Sequence, residues 1–300
     1  MDHKGEHQAR ILTGEKTIGD RNSKMVADRI MPGAVPFIER QVFFIASSMN
    51  EKGAISASVI TGMDGFVKVV DEQTVVINQQ LVNSNPYDMF WRNIMAHANA
   101  GLLFIEPSSR KRFRVNGSIT QNDESLIVEV QQAYPNCPKY IQQRHITRAG
   151  SSVYTDNAVQ GTVFTGSVKE MITSADTFFV GSADTAGNLD ASHRGGPPGF
   201  VIINEDDSLL IPDYSGNSMY NTFGNFLDNP VAGLVFLNTA NYRTLQLHGN
   251  VEVIWSKDDP AAVTGGTGRF WKFYPVSWTL LDNLKGYFWK FGEYSPFNPV

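Results

Sequence analysis

A single cysteine, Cys137, stands among 300 residues, so no internal disulfide can staple this chain. A lone thiol fits a reducing compartment, and a cytoplasmic location is expected. Charge is sparse too. Asp, Glu, Lys and Arg make up 18% of the residues and the formal net charge is −5, which argues against nucleic acid as a partner, since that affinity rests on basic surface. No apolar run approaches the length of a membrane span, and residues 1–10 are polar and charged, unlike a secretory signal. A membrane partner is therefore not expected. Chemical signatures are missing as well. There is no Gly-x-Gly-x-x-Gly turn of a doubly wound nucleotide fold and no Gly-x-Ser-x-Gly elbow of a hydrolase. No Cys-x-x-Cys pair or convincing His/Cys/Asp set is present, so no metal site is expected.

What is present is an internal repeat. The length suits about two domains of ordinary size, and 42% apolar residues are enough for two cores. Residues 53–77 lie over residues 187–211 with eight identities in 25 ungapped positions. Gly53, Ala57, Ser58, Gly62, Gly65, Phe66, Val67 and Ile77 meet Gly187, Ala191, Ser192, Gly196, Gly199, Phe200, Val201 and Ile211. Further on, Ala100-Gly101-Leu102, Phe104 and Gly117 meet Ala232-Gly233-Leu234, Phe236 and Gly249. The unit is too long for a solenoid repeat, so two like domains are expected. The copies differ where chemistry is expected: Val59-Ile60-Thr61 in the first stand where His193-Arg194-Gly195 stand in the second.

Each copy reads as short β-branched and aromatic runs separated by turn residues. In the first, strands are expected at 42–47, 53–60, 66–70, 74–78, 102–106, 110–119 and 126–132, with one helix over 86–99 capped by Asn85. In the second they are expected at 177–181, 188–192, 200–204, 209–212, 234–237, 243–254 and 270–280, with one helix over 218–227. Antiparallel strands with one helix per unit predict a mainly β fold of small closed or split barrels. Domains are expected at 36–150 and 151–300, after an irregular arm over 1–35 with a short helix near 23–30. The aromatic runs at 271–278 and 287–291 are expected to seal a barrel or an interface.

Four groups of residues can carry chemistry. The first is the glycine- and proline-rich stretch 190–201, whose polar members are Ser192, His193 and Arg194, with Gly195 letting a ligand come close. Taken alone, a hairpin between two core strands accounts for it equally well. The second is Arg110-Lys111-Arg112-Phe113-Arg114. Strand alternation puts Arg110, Arg112 and Arg114 on one face, as an anion site or a solvated strand end. The matching row in the second copy is Tyr242, Thr244 and Gln246, so the basic face belongs to one copy only. Third, Gly216-Asn217-Ser218 precedes the second helix, where free N–H groups favour a phosphate, though taken alone simple capping by Asn217 or Ser218 is the better account. Fourth, Lys139 and Tyr140 follow Cys137, near enough in sequence to serve a phosphate or a ring. His97, His145 and His248 are expected to be structural.

At these stretches the chain resembles the FMN-binding split-barrel proteins related to pyridoxamine 5′-phosphate oxidase. The second copy carries Ser192-His193-Arg194-Gly195-Gly196-Pro197-Pro198-Gly199-Phe200-Val201, then Ile211-Pro212-Asp213, Gly216-Asn217, and Thr244-Leu245 before Gly249. The first resembles a related branch through its arginine-rich strand before Val115-Asn116-Gly117 and through Asn136-Cys137-Pro138-Lys139-Tyr140-Ile141-Gln142. The resemblance implies two tandem split β-barrels arranged as a pseudo-dimer, with a homodimer as a further option and FMN in a groove between barrels. FAD, a deazaflavin and haem are the alternative ligands. It also implies that Ser192 to Gly195 lie along the flavin, while the segment after Gly216-Asn217 and the strand bearing Thr244 approach the phosphate. Two departures stand out. Ser218 and Met219 stand where a basic residue is usual, and Gln246 stands where an arginine is usual. Arg110, Arg112 and Arg114 of the first copy are expected to replace those charges in a composite site. The implied function is a flavin-dependent oxidoreductase acting on a small-molecule substrate or electron donor. The alternatives are a non-catalytic flavin carrier or sensor, and a barrel pair that serves protein association.

Overall fold

Alternating apolar and polar residues over short runs build two antiparallel sheets, each curled around its own apolar core. The computed structural model describes residues 3–150 and 158–299. The first sheet holds β1 (Phe43–Met49), β2 (Ile55–Thr61), β3 (Val67–Asp71), β4 (Thr74–Asn78), β5 (Asn99–Glu106), β6 (Lys111–Gln121) and β7 (Ser125–Pro135). Their order is β2-β1-β5-β6-β7-β4-β3. Two short strands, β8 (Arg144–Arg148) and β9 (Val159–Gly161), follow. The second sheet holds β10 (Thr177–Ala183), β11 (Leu189–Gly195), β12 (Ile202–Ile203), β13 (Leu209–Pro212), β14 (Val231–Asn238), β15 (Arg243–Ile254) and β16 (Phe270–Asp282), with β9 added beside β16. Its order, β11-β10-β14-β15-β16-β13-β12, repeats the first strand for strand.

Register repeats as well. Phe44 pairs with Phe104, and Phe178 with Phe236. Both long hairpins slip at the matching place, between Asn116 and Gly117 and between His248 and Gly249. The fold is therefore mainly β, two tandem split barrels built on one plan. The last strand, β17 (Tyr287–Phe291), pairs with β8 outside both sheets. The expected boundary at residue 151 opens a stretch that lies outside the described residues.

Helices depart most from expectation. The arm is not irregular: it forms α1 (Lys4–Leu12) and α2 (Lys16–Asn22), while 23–30 holds only a single 3₁₀ turn. A capping box between His3 and Glu6 starts α1, a reading that requires a histidine in the capping role. After α3 (Val35–Glu39), the first barrel's helix α4 (Met89–Ala96) is shorter than expected, because Asp88 rather than Asn85 caps it by accepting from Phe90 N–H at 3.0 Å. An unanticipated helix, α5 (Gly166–Thr173), is capped by Thr165. The second barrel's α6 (Asn221–Asp228) starts three residues late, since Ser218 and Tyr220 adopt left-handed φ of 60° and 61°. Among the described residues no helix is long and apolar enough to cross a membrane.

The barrels pack face to face. Phe43, Ile45, Val59 and Leu103 of the first meet Phe179, Ala191 and Val235 of the second in one buried cluster. Trp289 of β17 closes its edge against Phe43, ring centroids 5.0 Å apart, so this aromatic segment does seal an interface. At two related points backbone touches backbone. A Cβ on Gly101 would come within 2.6 Å of Leu189 O, and one on Gly233 within 2.6 Å of Ile55 O. Only glycine allows that approach.

Gly101→Ala and Gly233→Ala should each cost about 1–3 kcal/mol, the usual penalty of forcing extra volume into a packed site. Gly33, whose added Cβ would meet nothing within 4 Å, serves as the control. Urea unfolding of the three variants reads the difference, and equal midpoints for Gly101→Ala and Gly33→Ala would refute the tight contact.

Candidate functional site

The two barrels open onto a shared cleft. β11 is an edge strand of its sheet, pairing only with β10, so its free side turns to the first barrel. It contributes Ser192, His193, Arg194 and Gly195 to the cleft, and the loop before α6 contributes Gly216, Asn217 and Ser218. From the first barrel come Arg112 and Arg114 of β6, with Lys139 and Tyr140 beyond β7. Eleven of the thirteen residues expected at a ligand site thus line one cavity drawn from both copies.

Two do not. Arg110 sits in a turn with φ 54°, so strand alternation begins one residue later than assumed. Its guanidinium donates to Ile141 O and to Glu293, each at 3.0 Å, away from the cleft. Thr244 is fully buried on β15 between Leu237 and Leu281, on the strand face that also carries Gln246 and away from this cleft.

The charges that do face the cleft divide into two kinds. Arg114 is committed to protein. It donates to Ala191 O at 3.0 Å, Ser192 Oγ at 2.6 Å and Tyr134 Oη at 2.6 Å, and lies 3.2 Å from Asp190. Asp213 is likewise matched by Arg269 at 2.9 Å. By contrast Arg112, Lys139 and Arg194 have no carboxylate within ion-pair distance among the described residues. Arg112 spends only its Nε, on Cys137 O at 2.6 Å, and Arg194 leaves Nε buried without a partner. Burial pushes Arg112 down to about 10, helped by Arg114 and Arg194, which leaves it charged at neutral pH. Cations this poorly compensated are costly unless an anion joins them.

Further donors converge on the same space. The first turn of α6 lines the cleft and has no side-chain cap, and the N–H groups of Asn221, Thr222 and Phe223 find no acceptor among the described residues. His193 is held neutral: burial first, then Arg112, Arg194 and Arg144, drive its pKa well below the ordinary histidine range. Its Nε2 has no partner, and its ring meets Phe179 edge-on at 5.5 Å. Tyr140 and Tyr214 present ring faces 4.9 Å apart, with Tyr140 Oη donating to Ser215 O at 2.9 Å. Tyr140, Ser218 and Tyr220 all have left-handed φ, a strain that collects at ligand sites. Sequence spacing did not single out Asp213, Tyr214, Tyr220 or Thr222 as site residues. Asp213 and Tyr214 follow the Ile211-Pro212 motif, but only the packing of two barrels sets Tyr214 against Tyr140.

The related place on the other side of the pseudo-twofold axis is filled. Gln246 reaches across to Ala57 O at 2.9 Å and Ser58 Oγ at 2.8 Å, just as Arg114 reaches Ala191 O and Ser192 Oγ. There Asp88 accepts from Ser58, from Gln246 at 3.1 Å and from Asn283 at 3.3 Å. Asn283 also donates to Val59 O at 2.8 Å and accepts from Asn85 N–H at 2.7 Å. A neutral amide thus replaces the crossing arginine, and side chains occupy the space.

Residues 164–268 match the family model described as pyridoxamine 5′-phosphate oxidase. No curated protein sequence matches the chain. Similar solved structures include HupZ of Group A Streptococcus, 13% identical, covering 44% of this chain and 98% of its own with a TM-score of 0.29. HutZ, described as a heme storage protein from Vibrio cholerae, is 14% identical, covering 42% and 94% with a TM-score of 0.27. A pyridoxamine 5′-phosphate oxidase-related, FMN binding protein from Nostoc punctiforme is 13% identical, covering 33% and 54% with a TM-score of 0.25.

The filled side has a pH signature. Burial raises Asp88 to about 6, against the hydrogen bonds from Ser58, Phe90 and Gln246 that favour its ionised form. A raised carboxyl contributes stability that is complete below its unfolded value and fades as pH climbs through about 6. The full contribution is on the order of 2–3 kcal/mol. Relative to Asp88→Asn, the wild type should therefore lose thermal stability between pH 4.5 and pH 7. A difference in melting temperature that stays constant across that range would contradict the assignment.

Proposed function

We propose, on the premise that this chain belongs through its second barrel to the pyridoxamine 5′-phosphate oxidase family, that it holds FMN in the inter-barrel cleft and serves as an oxidoreductase on a small molecule. The proposal takes residues 36–150 and 151–300 as its two domains, with the site drawn from both. The observation that carries it is the set of three cations, Arg112, Lys139 and Arg194, gathered without carboxylate partners beside the uncapped start of α6. Guanidinium forks and free N–H groups match phosphate oxygens in shape and charge.

The residues fit the group. Arg112 and Lys139 from the first barrel, with the α6 N–H groups from the second, would hold the phosphate. Ser192 to Gly195 and the rings of Tyr140 and Tyr214 would hold the planar part, with Arg194 and the neutral His193 as polar neighbours. FMN, when bound, supplies the electron or hydride chemistry, and the protein supplies orientation and electrostatics. The composite arrangement offsets the basic residues that the second copy lacks at Ser218 and Gln246. FAD, a deazaflavin and haem remain distinct outcomes of one measurement, the identity of the chromophore released on denaturation.

Purified protein should show a flavin absorption spectrum and release FMN. Arg112→Ala should weaken FMN binding about 10- to 100-fold, the worth of a charged hydrogen bond of about 1.5–3 kcal/mol. Thr244→Val should bind as wild type. Arg112 is the informative position, because removing Arg114 strands the buried Asp190 and destabilises the fold. Undiminished FMN affinity in Arg112→Ala would refute the composite site. Turnover with a reduced nicotinamide donor and an electron acceptor separates the oxidoreductase from a carrier or sensor.

A further inference from the structure

The arm, residues 3–22, is built onto the part of the second barrel that lines the cleft. α1 packs along α6 at glycine contact: a Cβ on Gly5 would lie 2.1 Å from Gly224 O, and one on Gly224 2.5 Å from Glu6 N. His3 fastens one end, its Nδ1 2.9 Å from Asp228 and its Nε2 3.0 Å from Asn225. Asn221, the first residue of α6, donates to Glu6 at 2.5 Å.

The remaining contacts converge on the loop 216–220. Arg10, fully buried, donates Nε at 3.2 Å and Nη2 at 3.0 Å to Met219 O. Asn22 donates to Asn217 O at 2.7 Å. Gly19 lies so close that an added Cβ would come within 2.5 Å of Ser218 O. Glu15 extends the contact through Arg269, at 3.5 Å, to the cleft residue Asp213. This loop carries two non-glycine residues at positive φ, Ser218 and Tyr220, a conformation that persists only where surroundings impose it. Beyond α2 the chain crosses to the first barrel, where Ala27 exchanges backbone hydrogen bonds with Ala133. The N-terminal segment as a whole thus touches both barrels.

We infer that the N-terminal arm is a clamp that holds the strained loop 216–220, and with it the start of α6, in the conformation that receives an anion. Arg10 and Asn22 are positioning residues that act through Met219 and Asn217. Arg10 itself is turned away from the cleft, towards Glu6 and Asp20. The inference rests on the reading of the cleft as an anion site, but the loop's order can be measured without any ligand.

Amide hydrogen exchange over residues 216–222 of the full chain, with and without inorganic phosphate, tests it on Asn22→Ala, Arg10→Met and Arg10→Lys. Asn22→Ala should speed exchange in that segment and weaken phosphate binding about fivefold, the factor one neutral hydrogen bond commands, while the melting temperature stays near wild type. Arg10→Met should do more, and Arg10→Lys should recover part of the protection. If Arg10→Met fails to fold, Asn22→Ala decides. Wild-type exchange at 216–222 in Asn22→Ala overturns the clamp, whatever binds in the cleft. Faster exchange in a protein whose wild type takes up neither phosphate nor FMN upholds the clamp and removes the cofactor reading instead.

Discussion

The structure depends on a backbone-to-backbone contact between its two barrels. At Gly101 and Gly233 each sheet lies against the other with no room for a methyl group, so the two interface faces cannot slide or separate without losing their packing. That closeness brings β6 within reach of β11, and β15 within reach of β2, and lets one side chain from each barrel satisfy the exposed edge of the other. Arg114 and Gln246 make those crossings with the same pair of acceptors, a backbone carbonyl and a serine hydroxyl.

From this shared frame the two sides have taken opposite courses. One crossing is a neutral amide, and Asp88, Asn85 and Asn283 complete a network that leaves the space filled. The other crossing is a guanidinium balanced by Asp190, and around it stand cations without an ion-pair partner among the described residues. A duplicated chain gains this option because each half can change alone, whereas in a dimer of identical copies every substitution enters both sites. The cavity beside the second copy's polar turn also receives Arg112 and Lys139 from the first copy.

Much of this was legible in the chain. Strand positions followed the alternation of apolar residues, and β4, β13 and β15 begin and end where the pattern places them. The repeated Gly65-Phe66 and Gly199-Phe200 pairs mark one turn used twice, with Gly65 and Gly199 at φ 80° and 88°. Helix limits were less legible, because α6 yields its first turn to a strained loop that the arm supports. The arm's own helices were not legible. Their placement rests on partners far along the chain, since α1 packs at glycine contact on α6 and Gly19 of α2 on the loop before it.

The sequence by itself determined that the chain is two copies of one β unit, which copy kept the polar turn, and which kept the basic strand. These are properties of composition and period along a single segment. Tertiary structure decided which of those residues share a cavity: Arg112 and Arg194 meet across the barrel interface, while Arg110 turns aside at a left-handed residue and Thr244 is buried away from the cleft on the face that carries Gln246. It also decided which charges are already paired, since Asp190 and Asp213 take up Arg114 and Arg269 within ion-pair distance. The physical reason is that periodicity encodes which face of a strand is buried, whereas the partner of a charge depends on how two sheets pack, and no local pattern records that.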